Sequence, residues 1–263
     1  MFGGMSFILF LTIVGGVPAL PCSISQSERM SPYFILAGDS TTATQSSNGG
    51  GWGDGFLNTT LFHGASGHNF GHNGATTVSF RAGGDWDKVL TTVHDLRCDY
   101  HPFVTIQFGH NDQKASANIS LSQYTANLEQ LVKDVVTAGA TPILVTPLSR
   151  RTYDNSTGRP LIIESLTDQA AATITAAKKS GAHLIDLNRA STNYLNAIGP
   201  ENAHTYNLNP TDNTHLNIQG SIVFGGMVAG LIQSAFPALH AQGYLRENRR
   251  LEQEIRRGIY YWP

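Results

Sequence analysis

Residues 34–43 read "FILAGDSTTA": a run of apolar side chains enters a glycine, an acid and a cluster of hydroxyls. Residues 33–37 have the continuous apolar character of a short buried strand. Gly38 permits a sharp turn where a Cβ would clash. Asp39 and Ser40 then stand where a helix can begin. Taken alone they fit a turn with an N-cap. Ser40 also fits a nucleophile presented at the mouth of a sheet, and the rest of the chain decides between the two.

Downstream, strand-like runs alternate with segments of helical period. "FVTIQF" (103–108) is a compact β-branched and aromatic strand. From residue 121 the positions Tyr124, Leu128, Leu131, Val132, Val135 and Val136 fall on one helical face, with Gly139 as the C-cap. "TPILVTP" (141–147) is the next strand, an alanine-rich helix follows over 165–179 and stops at Gly181, and "AHLIDL" (182–187) is another strand. Residues 218–235 form a last apolar helix. This rhythm predicts an α/β fold: a mainly parallel sheet with helices on both faces. In such sheets ligands bind beyond the carboxyl ends of the strands, so Ser40 and Asn111, each just after a strand, belong to one rim.

The 263 residues suffice for one large domain. Charged residues make up 14%, against about 25% in typical soluble domains. A surface rich in Asn, Gln, Ser, Thr and Gly suits neutral or sugar-like partners. A net charge of −2 offers no basic footprint for nucleic acid. The loop 44–55, "TQSSNGGGWGDG", is expected to be flexible, either a lid or a plain surface loop. Residues 30–237 are assigned to the domain. Residues 238–263 form an Arg-rich, partly helical tail, expected to pack loosely and given no function.

The start of the chain carries an apolar run over 7–20, too short to span a bilayer comfortably but matching a secretory leader that ends near residue 22. Asn58-Thr-Thr, Asn118-Ile-Ser and Asn155-Ser-Thr are acceptor sequons. Together they predict an extracellular protein with no stable membrane insertion after cleavage, expected as a monomer. Cys22 and Cys98 form one disulfide if cleavage leaves Cys22 on the mature chain, and otherwise are free thiols. His68 and His72 are four apart, but the glycines around them do not suit a ligand-bearing helix, and no cluster completes a zinc site. No cofactor is expected.

Ester hydrolysis needs a nucleophile, a base, a group that orients the base, and donors for the oxyanion. "DNTHLN" (212–217) sets Asp212 three residues before His215, close enough in a turn to bond Nδ1 and leave Nε2 for Ser40. The alternative is that Asp212 caps the last helix and His215 packs on its first turn. In "GHNGATT" (71–77), Gly74 lets a backbone N–H approach an acyl group. In "FGHND" (108–112), Asn111 offers its amide. Asp39 is expected to bond turn amides.

In order, these blocks resemble the SGNH (GDSL-type) hydrolase superfamily: Gly38-Asp39-Ser40, Gly74, Asn111 and Asp212/His215, spanning residues 33–235. Within it, "AGDSTTA", "GGWGDGF", "SFRAGGDW", "QFGHND" and "DNTHLN" are similar to the fungal rhamnogalacturonan acetylesterases. The resemblance implies a three-layer α/β/α sandwich of flavodoxin-like form and metal-free removal of acetyl groups from plant cell-wall polysaccharide. It also implies a Ser40–His215–Asp212 triad and an oxyanion hole of Ser40, Gly74 and Asn111. One departure stands out: after the glycine block the group carries an Arg-containing run, whereas here Arg81 is the nearest guanidinium, which points to a less acidic substrate. Other readings are an acetylxylan or lipid esterase, an acyltransferase, and a catalytically silent carbohydrate-binding protein.

Overall fold

The computed structural model describes residues 30–156 and 158–263; the segment read as a leader and Cys22 lie outside them. In chain order the elements are β1 (Pro32–Gly38), α1 (Gly53–Thr60), β2 (Ser66–Asn69), α2 (Thr77–Ala82), α3 (Asp85–Leu96) and β3 (His101–Gln107). Then follow α4 (Leu121–Ala138), β4 (Thr141–Val145), β5 (Tyr153–Asp154), β6 (Leu161–Ile162), α5 (Thr167–Ser180) and β7 (His183–Ile185). The chain ends with α6 (Leu187–Ala203), α7 (Ile218–Ala235), α8 (Pro237–Ala241) and α9 (Arg249–Arg257).

Five strands form one parallel sheet in the order β2-β1-β3-β4-β7. Side chains alternate along each strand, so the sheet feeds two cores. Phe34 and Leu36 of β1, Phe103 of β3, and Ile143 and Val145 of β4 pack with α1, α6 and α7. Ile35, Ala37, Val104, Ile106 and Leu144 pack with α2, α3, α4 and α5 on the opposite face. Burial on both faces is why these strands are continuous apolar runs. The result is a three-layer α/β/α sandwich. Chain order reverses between β1 and β3, which places the switch point, and its crevice, just beyond Gly38 and Gln107.

The helix over 121–138 forms as the periodicity predicts, with Gly139 in the left-handed region at its C-cap. Val136 is the exception: it is 58% exposed, at the edge of a stripe that already contains Val132 and Val135.

Two expectations need larger correction. The segment 44–55 is not a flexible surface loop in its second half. Gly49 to Gly53 are buried, and Trp52 is a core side chain whose Nε1 donates to Gln107 Oε1 at 2.5 Å. Its glycines are there for close approach. A Cβ on Gly51 would lie 2.1 Å from the Thr41 carbonyl carbon, and one on Gly55 would lie 1.9 Å from the Ser221 carbonyl oxygen. Gly55 N–H also donates to Ser221 Oγ at 3.0 Å, which locks α1 against α7.

The tail also docks firmly. Leu245, Leu251 and Tyr261 join the core on the α6/α7 side. Arg246 N–H donates to Thr60 O at 2.9 Å, Tyr261 N–H to Tyr194 Oη at 3.1 Å, and Tyr206 Oη to Tyr261 O. Isolated apolar anchors in a charged stretch leave no periodic signal, yet each fills a site on the core. Cys98 is disulfide-bonded and not a free thiol.

Candidate active site

Ser40 follows β1 in a tight turn stabilised from below. Thr42 and Ala43 N–H both donate to Asp39 O at 3.0 Å. Asp39 Oδ1 accepts from Thr41 N at 2.9 Å and Thr41 Oγ1 at 2.8 Å, so Asp39 serves the turn and does not reach for substrate. Gln107 Nε2 donates to the same Thr41 hydroxyl, which extends the support to Trp52. Burial pushes the Asp39 carboxyl up, but the neighbouring His110 ring and the Thr41 donors outweigh it and hold the group below the ordinary carboxylate range.

The terminal block meets this turn. Ser40 Oγ lies 2.8 Å from His215 Nε2, across 175 residues of chain. His215 Nδ1 lies 2.8 Å from Asp212 Oδ2. The other carboxylate oxygen, Oδ1, accepts from Thr214 N and His215 N, each at 2.9 Å. Burial raises the Asp212 carboxyl, while the His215 backbone and ring and the Thr214 N–H lower it further, leaving it below its ordinary value. The side chain therefore stays ionised and orients the imidazole. Asp212 does not cap α7; Asn217 does, accepting from Gly220 N at 2.9 Å.

The oxyanion candidates Gly74 and Asn111 lie in the loops after β2 and β3, at the same carboxyl rim as Ser40. Gly74, in the loop after β2, has φ +80°, and a Cβ there would meet nothing within 4 Å. Glycine is thus required by backbone conformation and leaves open space above it. Among the described residues, neither Ser40 N–H nor Gly74 N–H has an acceptor. Asn111 Nδ2 donates one hydrogen to Ala75 O at 2.9 Å, next to Gly74, and retains a second. Ser40 and Asn111 are only 5% and 7% exposed. Two N–H groups and one amide hydrogen, left without protein acceptors beside a Ser–His–Asp line, can stabilise an oxyanion during acyl transfer.

One residue that matters here is not singled out by the sequence. Arg151 is fully buried; its Nη2 donates to His215 O at 2.6 Å, and its Nε to Asn207 Oδ1 at 2.5 Å. Burial pulls its guanidinium down to about 10, opposed by Asp212. It holds the backbone of the base from beneath. Its place just beyond β4, at the carboxyl rim of the sheet, is the one sequence signal that marks it.

Arg81, the guanidinium nearest the glycine block, is paired with Asp134 at 2.6 Å. Two cations from other loops stand at the rim. Lys114 contacts Asn111 Oδ1 at 2.7 Å, and Arg150 Nε contacts Thr214 Oγ1 at 3.2 Å. His72 bonds Asp85 at 2.6 Å, and the His68 ring packs at a tilt against Phe70 with the ring centroids 4.3 Å apart. Among the described residues no group of three His, Cys, Asp or Glu side chains is placed to hold a metal ion.

The family model of GDSL-like lipase/acylhydrolases matches residues 36–221. The chain is similar to a probable rhamnogalacturonan acetylesterase, YesY, of Bacillus subtilis: 27% identical, over 76% of this chain and 92% of that one. It is also similar to the rhamnogalacturonan acetylesterase RhgT of the same organism: 31% identical, over 74% of this chain and 87% of that one. The crystal structure of Bacillus subtilis YxiM superposes with a TM-score of 0.65 at 24% identity, covering 81% of this chain and 57% of that protein.

Proposed function

From the premise that the chain belongs to the GDSL-like lipase/acylhydrolase family, and is a carboxylic ester hydrolase, we propose that it is a secreted serine esterase removing acetyl groups from plant cell-wall rhamnogalacturonan. The observation that carries the reaction is the 2.8 Å contact of Ser40 Oγ with His215 Nε2, braced by Asp212 at 2.8 Å. The substrate rests on the names of the two curated relatives. Export is supported by exposed asparagines at all three sequons and by a disulfide at Cys98.

In the proposed mechanism Ser40 Oγ attacks the acetyl carbonyl as His215 Nε2 takes its proton. Ser40 N–H, Gly74 N–H and the Asn111 amide hold the oxyanion. The intermediate collapses as His215 returns the proton to the leaving sugar oxygen, giving acetyl-Ser40 and a free hydroxyl. Water, deprotonated by His215, then attacks the acetyl group, releasing acetate and restoring Ser40.

The test is acetate release from acetylated rhamnogalacturonan, acetylated xylan and aryl esters of rising chain length. Ser40→Ala is expected to lower turnover on every substrate by about 10⁴-fold or more, and wild type to favour rhamnogalacturonan and short acyl chains. Full turnover in Ser40→Ala would end the esterase proposal. A preference for xylan or long chains would overturn the substrate assignment and leave the triad standing.

A further inference from the structure

Lys114 lies three residues after Asn111. The turn between them is closed by a backbone bond from Lys114 N to Asn111 O at 3.1 Å, and the same turn carries the ammonium to 2.7 Å from Asn111 Oδ1. We infer that Lys114 is a positioning residue that fixes and polarises the oxyanion amide of Asn111. This inference rests on the oxyanion role proposed above.

Three observations carry it. First, the two ends of the Asn111 amide have opposite partners. Oδ1 faces a cation, and Nδ2 faces the Ala75 carbonyl at 2.9 Å. Rotation of the amide by half a turn would set NH₂ against NH₃⁺ and oxygen against oxygen, so one orientation is enforced from both sides. Second, the bond is charge-assisted. A cation on Oδ1 draws electron density through the amide toward oxygen and makes the remaining Nδ2–H a stronger donor to developing negative charge. Third, that charge is not neutralised nearby: among the described residues no carboxylate lies within 4.0 Å of Lys114 Nζ. The adjacent Asp112 turns Oδ1 to Thr77, at 2.9 Å from its N and 2.7 Å from its Oγ1.

Lys114 is exposed, so water screens part of its field. Its effect is therefore smaller than the loss of about 10²–10³ expected from deleting an oxyanion donor outright. Lys114→Met, which keeps the stem and removes the charge, is expected to lower kcat about 3- to 10-fold. The loss should be the same on a neutral aryl acetate and on acetylated rhamnogalacturonan, with KM within twofold. Lys114→Arg, which keeps a cation within reach of Oδ1, should restore kcat to within about twofold. In an Asn111→Ala background, Lys114→Met should add nothing, because the amide it acts through is gone. Unchanged kcat in Lys114→Met would overturn the inference. So would a defect confined to KM on the polysaccharide, which would make Lys114 a substrate contact, or full additivity with Asn111→Ala. If Asn111→Ala itself leaves kcat intact, the oxyanion assignment beneath the inference fails. The parent esterase proposal is judged separately by Ser40→Ala.

Discussion

Replacing Asp212 by asparagine separates what its carboxylate does for the fold from what it does for the base. Oδ1 accepts two backbone N–H groups at 2.9 Å, and Oδ2 accepts from the imidazole at 2.8 Å. In Asp212→Asn the new carbonyl oxygen must stay on the two backbone donors, since an NH₂ there would face two other N–H groups. The NH₂ is then turned to His215 Nδ1. A nitrogen that meets a donor must accept, so the imidazole proton moves to Nε2 and faces Ser40 Oγ as a donor. Ser40 loses its base while every heavy atom keeps its place. The equivalent tautomer trap in serine proteases costs about 10⁴ in turnover, or about 5.5 kcal/mol of barrier at about 1.4 kcal/mol per decade. Exchanging charge-assisted for neutral bonds to the two backbone donors costs stability on the order of 1 kcal/mol, a Tm change of about 2–4 °C. Aryl acetate turnover and thermal unfolding by circular dichroism, measured on one preparation, check both numbers. A variant within tenfold of wild-type kcat would refute the assignment of Asp212 as the group that sets the tautomer.

Gly51→Ala places a Cβ 2.1 Å from the Thr41 carbonyl carbon and oxygen and 2.4 Å from Thr42 N, all of them backbone. The nucleophile turn has to shift, and a Tm loss of about 6–12 °C, for about 3 kcal/mol of overpacking, is expected in a thermal scan; a change under about 1 °C would contradict the packed reading of residues 49–53. Glu247→Gln tests a buried carboxyl whose pKa is raised to about 8 by burial and by Glu252. Because the folded value lies above the unfolded one, the stability linked to that proton is complete at low pH and is lost as pH rises through about 8. The variant should therefore unfold at a higher temperature than wild type at pH about 9 and at nearly the same temperature at pH about 4. An equal difference at both would rule the linkage out.

The central strands are legible in the sequence because burial on both faces makes them unbroken apolar runs, as at residues 34–37 and 103–106. Ser40, Asn111 and the Asp212/His215 pair are legible because each stands at a strand end or in a turn of fixed spacing. Other parts are not, for identifiable reasons. Gly51 and Gly55 have the composition of a flexible loop, and only the opposing backbones of Thr41 and Ser221 show that they are contact points. β2 is a polar edge strand, "SGHN", with no alternation to detect. Arg151 has no motif around it, since its value lies in a carbonyl 64 residues away. Leu245, Leu251 and Tyr261 are too widely spaced to register as an apolar face.

Leu216 N–H donates to Gly50 O at 2.8 Å, which joins the residue after the imidazole to the glycine segment packed under the serine. With α1 and α7 locked together just behind, both reacting partners are mounted on one rigid block and not on opposite jaws. Breathing of the outer strands or the terminal helix then shifts the two as a unit and leaves their spacing alone. Heating should therefore deplete the population of competent molecules without dulling the survivors: the activity of each folded molecule stays level until the block itself comes apart.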